Sequence, residues 1–167
     1  MGARYSYSFT TVTTAAIANA TNLTNSAYPG FLQGGSSTQR LNIIEVFMGG
    51  EASASSAPQI MILARDSTVA VTAISGGFVA LLDGSGTAPA TTAVVGNSAT
   101  TTPQRSSTLH LLHLSFNAYG GIVRWVSRQG EEPSVVGNTA SLGEVSLSAT
   151  TGTTAGTLSG HILYEVA

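Results

Sequence analysis

The chain of 167 residues contains no cysteine and no lysine, and charged residues make up 8% of the sequence. The absence of cysteine excludes disulfides, thiolate nucleophiles and zinc–sulfur sites. An ordinary soluble domain carries about 25% charged residues, and a surface so poor in charge is usually covered, often by a neighbouring subunit. The composition therefore indicates a packing module and argues against an enzyme.

Long apolar runs and clusters of basic residues are missing too. No apolar segment approaches the roughly 18 consecutive residues of a membrane span. The isoelectric point near 5.8 argues against nucleic acid, because proteins bind phosphates largely through Lys and Arg. No apolar segment of a secretory signal follows Arg4. We therefore expect neither a membrane nor a nucleic-acid partner, and folding in a reducing cytoplasm.

The residues that are abundant favour strands and tight turns. The sequence contains 22 Thr, 21 Ser, 22 Ala and 19 Gly; Thr suits a pleated sheet and Gly supplies the positive φ of turns. Apolar and polar residues alternate with a period of two near both ends, as at Tyr5, Tyr7 and Phe9 and at Ile162 and Tyr164. Further strands are predicted over 41–48, 59–65, 69–74, 78–82, 108–116, 122–127 and 141–149, and the last over 158–166.

Between these strands lie two long polar stretches, residues 15–40 and 84–107, which we expect to be loops that become ordered against a partner. About eight to ten short strands without an amphipathic helix predict an all-β fold, an antiparallel β-sandwich. A jelly roll is the preferred topology and another Greek-key sandwich is the alternative. We expect one domain over 1–167, with an N-terminal arm, strand and loop in 1–40 and the main sandwich in 41–167.

Two of the three histidines, His110 and His113, are three residues apart. In a strand over 108–116 they point to opposite faces of the sheet. A metal ion held by both is then excluded, unless His161 joins one of them from a neighbouring strand. We expect one packed and one exposed histidine, and no metal site.

The acidic and glycine-rich motifs give no better candidates for chemistry. Glu131 and Glu132 are adjacent in a turn, but calcium requires about six to eight oxygen ligands and the chain has no Asp-rich loop. Asp66 beside Ser67 is weak support for a catalytic triad, because the chain has no G-x-S-x-G motif. The segment 33–37 is rich in glycine but lacks the lysine of a phosphate-binding loop. We therefore expect no catalytic residue and no cofactor.

Aromatic residues and Arg124 are the best candidates for contact with a partner. Arg and Trp are enriched in the energetic centres of interfaces, and here they are adjacent as Arg124 and Trp125. The other interpretation of Trp125, slightly preferred, is the core tryptophan of a sandwich. Tyr5, Tyr28 and Tyr119 complete the candidate interface. A glycan-binding surface would need an exposed ring beside Asp, Asn or Arg, for which Tyr28, Tyr119 and Trp125 are candidates.

Three stretches of the chain resemble small virion structural proteins of tailed bacteriophages. They are RSSTLHLLHLSFNAYGGIVRW at 105–125, ARDST at 64–68 and GNTASLGEV at 137–145, within a likeness that runs from Leu41 to the C-terminus. Such proteins are similar to capsid cement or decoration proteins, β-sandwiches that sit on the shell, commonly as trimers, and clamp neighbouring capsomers. The resemblance implies a non-enzymatic protein that decorates and stabilises a bacteriophage capsid by binding between capsomers.

Partners and location follow from the same resemblance. It implies that the chain binds the major capsid protein and further copies of itself, with a homotrimer as the favoured assembly. It also implies a place in the virion after synthesis in the cytoplasm of the bacterial host. The alternative is a glycan- or receptor-binding module of a phage tail or head fibre, since jelly rolls serve as lectins as well as capsid parts. The fold alone does not choose between these functions.

Overall fold

The structure is a computed structural model that describes residues 2–23, 27–53, 57–69, 73–74, 78–82, 94–96, 98–99, 101–139 and 142–167. These residues form strands and no helix, which confirms the predicted all-β class. Consequently, none of them belongs to a helix long and apolar enough to span a membrane. In chain order the strands are β1 (Ala3–Thr13), β2 (Gly30–Gln33), β3 (Arg40–Gly50), β4 (Pro58–Thr68), β5 (Ala73–Ile74), β6 (Phe78–Leu81), β7 (Val94–Gly96), β8 (Ser98–Ala99), β9 (Gln104–Asn117), β10 (Ile122–Val126), β11 (Ser134–Val136), β12 (Glu144–Ala149) and β13 (Thr157–Val166).

The strands form two large antiparallel sheets. Sheet 1 has the order β10-β3-β13-β1-β6, with β11 also paired to β3, and sheet 2 has the order β7-β2-β12-β4-β9. The first strand pairs with the last, β1 with β13, and β2 pairs with β12 in the other sheet. In the same way β3 pairs with β10 and β4 pairs with β9. The chain is therefore one long hairpin folded over into two sheets, which is the topology of a jelly roll.

Strands β5 to β8 are inserted between β4 and β9. Strand β6 adds to β1 at one edge of sheet 1, β7 adds to β2 in sheet 2, and β5 pairs with β8. The loop predicted over 84–107 is therefore wrong where β7 and β8 lie and where β9 begins at Gln104. Residues 83–93, and residues 70–72 of the strand predicted over 69–74, lie outside the described residues.

The core lies between the two sheets and is built from side chains that alternate along each strand. Tyr5, Tyr7 and Phe9 of β1 are all buried, which confirms the predicted period of two. They belong to one apolar cluster with Leu63 of β4 and Leu147 of β12 from sheet 2. The remaining buried members of this cluster are Val12, Leu32, Leu41, Ile43, Val46, Met48, Met61, Leu114, Val135, Val145, Ala149, Leu158, Ile162 and Tyr164.

A third layer, residues 14–23 and 27–29, crosses the outer face of sheet 2. Ile17, Leu23 and Tyr28 of this layer are buried in a second apolar cluster with Phe31 of β2. Strand β12 is buried along its whole length because it has the core on one face and this layer on the other. The expectation that 15–40 become ordered only against a partner is therefore wrong for these residues, which pack on their own sheet.

Strand β2 lies inside the segment 15–40 that the sequence predicts to be loop. All four residues of β2 are buried. Phe31 faces the third layer and Leu32 faces the core between the sheets, so neither face is open to solvent and the alternation is lost. A strand buried on both faces is only a short apolar run, and between glycines and serines such a run gives no periodic signal.

Polar pairs extend β4 and β9 beyond the predicted bounds. The predicted strand ends at Arg65, but β4 continues to Thr68. Asp66 pairs with Arg105 across the two strands, and Thr68 pairs with Gln104. Charged and hydroxyl residues in a row are typical of a turn, and only the partner strand shows that they continue the sheet.

Candidate functional site

His110 and His113 lie together on the outer face of sheet 2. Leu63 pairs with Leu112 and Ala64 pairs with His110, so Leu111 is an extra residue of β9 without a place in the register. This β-bulge shifts the alternation by one residue. Nδ1 of His110 is 3.1 Å from Nε2 of His113. The prediction that the two rings point to opposite faces is therefore wrong, because it assumes an unbroken period of two.

Further groups with metal-binding potential do not converge with this pair. His161 is on β13 in sheet 1 and bonds to Glu45, 2.9 Å from Nε2 to Oε1. Glu132 accepts a hydrogen bond from the Gly130 amide at 2.9 Å in the exposed turn before β11. In the part of the chain that the structure describes, no three His, Asp or Glu side chains are grouped so that they could hold a metal ion.

Arg124 lies on the outer face of sheet 1, where it is tied to Glu45. Its Nε and Nη2 donate to Oε2 of Glu45 at 3.0 and 2.7 Å, while its side chain remains 62% exposed. The hydrogen bond from Arg124, assisted by His161, holds the pKa of Glu45 below its usual value. The His161 ring stacks on Phe47 with centroids 5.3 Å apart. Together, Arg124, Glu45, His161 and Phe47 therefore form an ordered surface of charged and aromatic side chains.

Strand β10 presents two different faces. Trp125 faces inward and packs, partly buried, against the core, in the way that the core interpretation of this residue expects. Ile122 and Val126 are on the opposite face with Arg124 and are 70% and 50% exposed. Tyr119, 52% exposed, lies in the turn that joins β9 to β10. Of the residues that the sequence suggests for contact with a partner, Arg124 and Tyr119 are thus exposed. Two further exposed aliphatic residues lie near them: Ile122 between Tyr119 and Arg124, and Val126 after Arg124.

Tyr5 and Tyr28, the other two interface candidates, are inside the chain. Tyr5 is 7% exposed and its ring stacks on Tyr164 with centroids 5.5 Å apart. Tyr28, which is part of the third layer, is completely buried. Neither ring reaches the surface of this chain, so neither is part of the interface or of the glycan site proposed below.

A buried cluster of charged residues, which sequence reasoning missed, lies between sheet 2 and the third layer. The guanidinium of Arg105 is completely buried and donates to Oδ1 of Asn19 at 2.7 Å, to Oγ of Ser148 at 2.7 Å and to the carbonyl of Ile17. The Arg105 side chain therefore bonds to both the third layer and sheet 2, in addition to backbone hydrogen bonds between them such as that from the Ile17 amide to the Ala149 carbonyl. The sequence signal for this cluster is the pair of small hydroxyl residues Ser146 and Ser148 at alternate positions of β12, because small side chains leave room for larger polar groups.

Asp66 is the acidic centre of this cluster. It is completely buried and accepts a hydrogen bond from Oγ of Ser146 at 2.5 Å. Burial raises the pKa of its carboxyl to about 7, and the hydrogen bonds with Ser146 and Glu144 and the charge of Arg105 oppose this rise only in part. Because Asp66 is buried, it is not a member of an exposed catalytic triad with Ser67.

Two open depressions lie on the outer face of sheet 1. The larger, of about 610 Å³, contains the ion pair of Arg4 and Glu165, 2.9 Å from Nε to Oε2. The smaller, of about 340 Å³, is lined by Phe47 and His161 with Ser159 and Glu51. Both depressions are open to solvent.

Comparison with known proteins adds no information on the role of these residues. No known protein family, no curated protein and no solved structure matches the chain.

Proposed function

We propose that the protein is a non-enzymatic structural component of a tailed-bacteriophage virion that decorates and stabilises the capsid. In this proposal it binds the major capsid protein between capsomers and associates with further copies of itself, most favourably as a trimer. The observation that carries the proposal is an open, charge-poor side of the sandwich at strands β9 and β10. Jelly rolls are common in viral capsid proteins, which supports the proposal at the level of fold.

The β9–β10 edge, residues 107–117 and 122–126, is formed by the outermost strand of each sheet. Strand β9 is the last strand of sheet 2 and β10 is the last strand of sheet 1, and the two contact each other at the same side of the molecule. Among the residues that the structure describes, no further strand pairs with either of them. Unpaired strand edges offer backbone hydrogen bonds to another chain.

The side chains of this edge favour association over protection. Natural proteins often protect an exposed edge with lysine or proline, and this chain has no lysine. Leu109, Ile122 and Val126 of the edge, and Tyr119 in the turn between its two strands, expose between 40% and 70% of their surface. Arg124, the cation among them, is held by Glu45. The edge therefore presents apolar groups and backbone to a partner with little opposing charge.

Binding to the shell is tested by sedimentation of the purified protein with capsids of the particle that encodes it, after bound copies have been stripped. We expect saturable binding at a ratio that matches the symmetry of the lattice, because many copies engage a repeated surface. Reloaded capsids should also withstand higher temperatures than stripped ones. Absence of binding, or equal heat stability with and without the protein, would contradict the proposal.

The alternative function, a glycan- or receptor-binding module of a tail or head fibre, is favoured by one observation. The smaller depression places the Phe47–His161 stack beside the hydroxyl groups of Ser8 and Ser159 and the carboxylate of Glu51. An aromatic ring with convergent polar groups is a usual arrangement of a ligand site. Binding on a glycan array that is lost in Phe47→Ala would favour this function, and an array without binding would remove it.

A further inference from the structure

The His110–His113 pair has a defined pattern of hydrogen bonds. Nε2 of His110 is 3.0 Å from the carbonyl oxygen of Ser106. Because a carbonyl oxygen only accepts, Nε2 of His110 carries the proton. In the tautomer with its proton on Nε2, His110 has its lone pair at Nδ1, and this atom faces Nε2 of His113 at 3.1 Å. A hydrogen bond therefore joins the two rings.

This arrangement matches the requirements of a metal chelate. A transition metal lies about 2.0–2.1 Å from a histidine nitrogen, so two nitrogens on adjacent corners of a tetrahedron are about 3.3 Å apart. The observed separation of 3.1 Å is close to this value. Histidines that bind metals usually donate their other N–H to a carbonyl or carboxylate, which fixes the ring. His110 has such a bond to Ser106.

The β-bulge at Leu111 is the structural cause of the pairing. In a regular strand, residues three apart lie on opposite faces, and the extra residue at Leu111 brings His110 and His113 to the same face. Bulges are common beside functional sites, where they redirect a side chain. The pair is also accessible, since His113 is exposed and His110 is only half-buried.

We propose that His110 and His113 together bind a divalent transition-metal ion. Imidazole ligands suit Cu²⁺, Ni²⁺ and Zn²⁺, and affinity for a given site is highest for Cu²⁺. No third His, Asp or Glu of the described residues joins the pair, so the remaining positions of the ion are open to water. To bind the metal, neutral His113 transfers its proton from Nε2 to Nδ1 through solvent, and no oxidation or reduction is involved.

The test is a titration of the full chain with Cu²⁺, followed by electron paramagnetic resonance and calorimetry. We expect one ion per chain, with the spectral signature of two imidazole nitrogens. His110→Ala and His113→Ala should each weaken binding at least about tenfold. His161→Ala is the matched control, because this histidine also lies on a strand but pairs with Glu45, and it should bind Cu²⁺ as the wild type does.

Two results would overturn the proposal. One is binding of undiminished affinity in His113→Ala, which would place the ion elsewhere. The other is a loss of binding in His161→Ala equal to that in the variants of the pair. A second measurement guards against altered folding of a variant: Zn²⁺ should raise the melting temperature of the wild type and not that of His110→Ala, because a ligand stabilises only the folded state that binds it.

Discussion

At the scale of single residues, the unusual feature of this molecule is charge in its interior. A chain with 8% charged residues places Arg105, Asp66 and Glu144 completely out of contact with solvent. Glu144 is a neighbour of Asp66 and influences the pKa of its carboxyl. Where two carboxyls lie close together, a second negative charge is unfavourable.

Protonation of Asp66 makes the stability of the fold depend on pH. Its pKa is about 7 in the folded chain and about 4 in an unfolded chain, so the folded state binds more protons between these values. The free energy of unfolding should therefore fall as the pH rises through this window, by at most about 1.4 kcal/mol per pH unit, and level off above it. Urea denaturation at constant ionic strength measures this fall.

Asp66→Asn is the variant that isolates the effect. The amide keeps the size of the carboxyl and does not titrate, so the fall in stability between pH 5 and pH 7 should largely disappear. Glu144, Tyr28 and Arg105 face the same site and remain unchanged. A pH dependence as steep as that of the wild type would show that Asp66 is not its source.

Arg105 should be the most sensitive polar residue of the chain. Replacing it with methionine leaves Asn19, Ser148 and the Ile17 carbonyl without their donor, and it removes the positive charge beside Asp66. We expect Arg105→Met to lower the free energy of unfolding by about 3–5 kcal/mol. Arg128→Met, at an exposed position, should change it by about 0.5 kcal/mol or less. Similar losses in the two variants, measured by urea denaturation, would contradict this assignment.

At the scale of strands, the ends of the two sheets decide how the molecule meets others. Strands β9 and β10 are neighbours in sequence but belong to different sheets. Their exposed side therefore combines a long strand edge from sheet 2 with a short one from sheet 1. Within β9 the bulge at Leu111 interrupts the register, so an approaching strand finds regular pairing only on either side of it.

A lysine in this edge should prevent self-association. We expect the wild type to form an oligomer in solution, and Ile122→Lys to shift it towards the monomer, because the charge would have to be buried against a second copy. Ile122 is 70% exposed in the single chain, so the monomer itself tolerates the change. Analytical ultracentrifugation over a range of concentrations measures the shift.

Leu142→Lys is the matched control for this prediction. Leu142 is also a large exposed aliphatic residue, 56% exposed, but it lies outside the β9–β10 edge. This variant should associate as the wild type does. A wild type that is monomeric at all concentrations, or equal loss of association in both variants, would remove the edge from the proposed assembly.

At the scale of the whole molecule, the sequence predicts the class of fold and much of its strand content. Strands with one polar face, such as β1 and β13, are visible because Tyr5, Tyr7, Ile162 and Tyr164 recur at every second position. Strand β2 is not visible, because Phe31 and Leu32 are both covered. Apolar and polar residues alternate along a strand only where one of its faces is in contact with solvent. The alternation is absent where the third layer covers that face.

The candidate sites are predicted less well, for a related reason. Arg124 and Tyr119 are exposed as an interface requires, but burial of Tyr5 and Tyr28 depends on chain segments far away in the sequence. The contact between His110 and His113 depends on a single extra residue, Leu111. Burial by a distant segment of the chain cannot be recognised from the residues around the buried position. A shift of the strand register by one residue cannot be recognised in this way either.

The pairing of the first strand with the last also determines when the molecule can fold. Ala3 lies opposite Val166, and β13 separates β1 from β3 in the middle of sheet 1. The chain from β1 to β12 must therefore leave the ribosome before this sheet can receive its central strand. Contacts between such distant segments make folding slow, on the order of milliseconds to seconds. Until synthesis reaches β13, β1 and β3 lack the strand that joins them, and we expect the apolar core residues of both to be prone to aggregation.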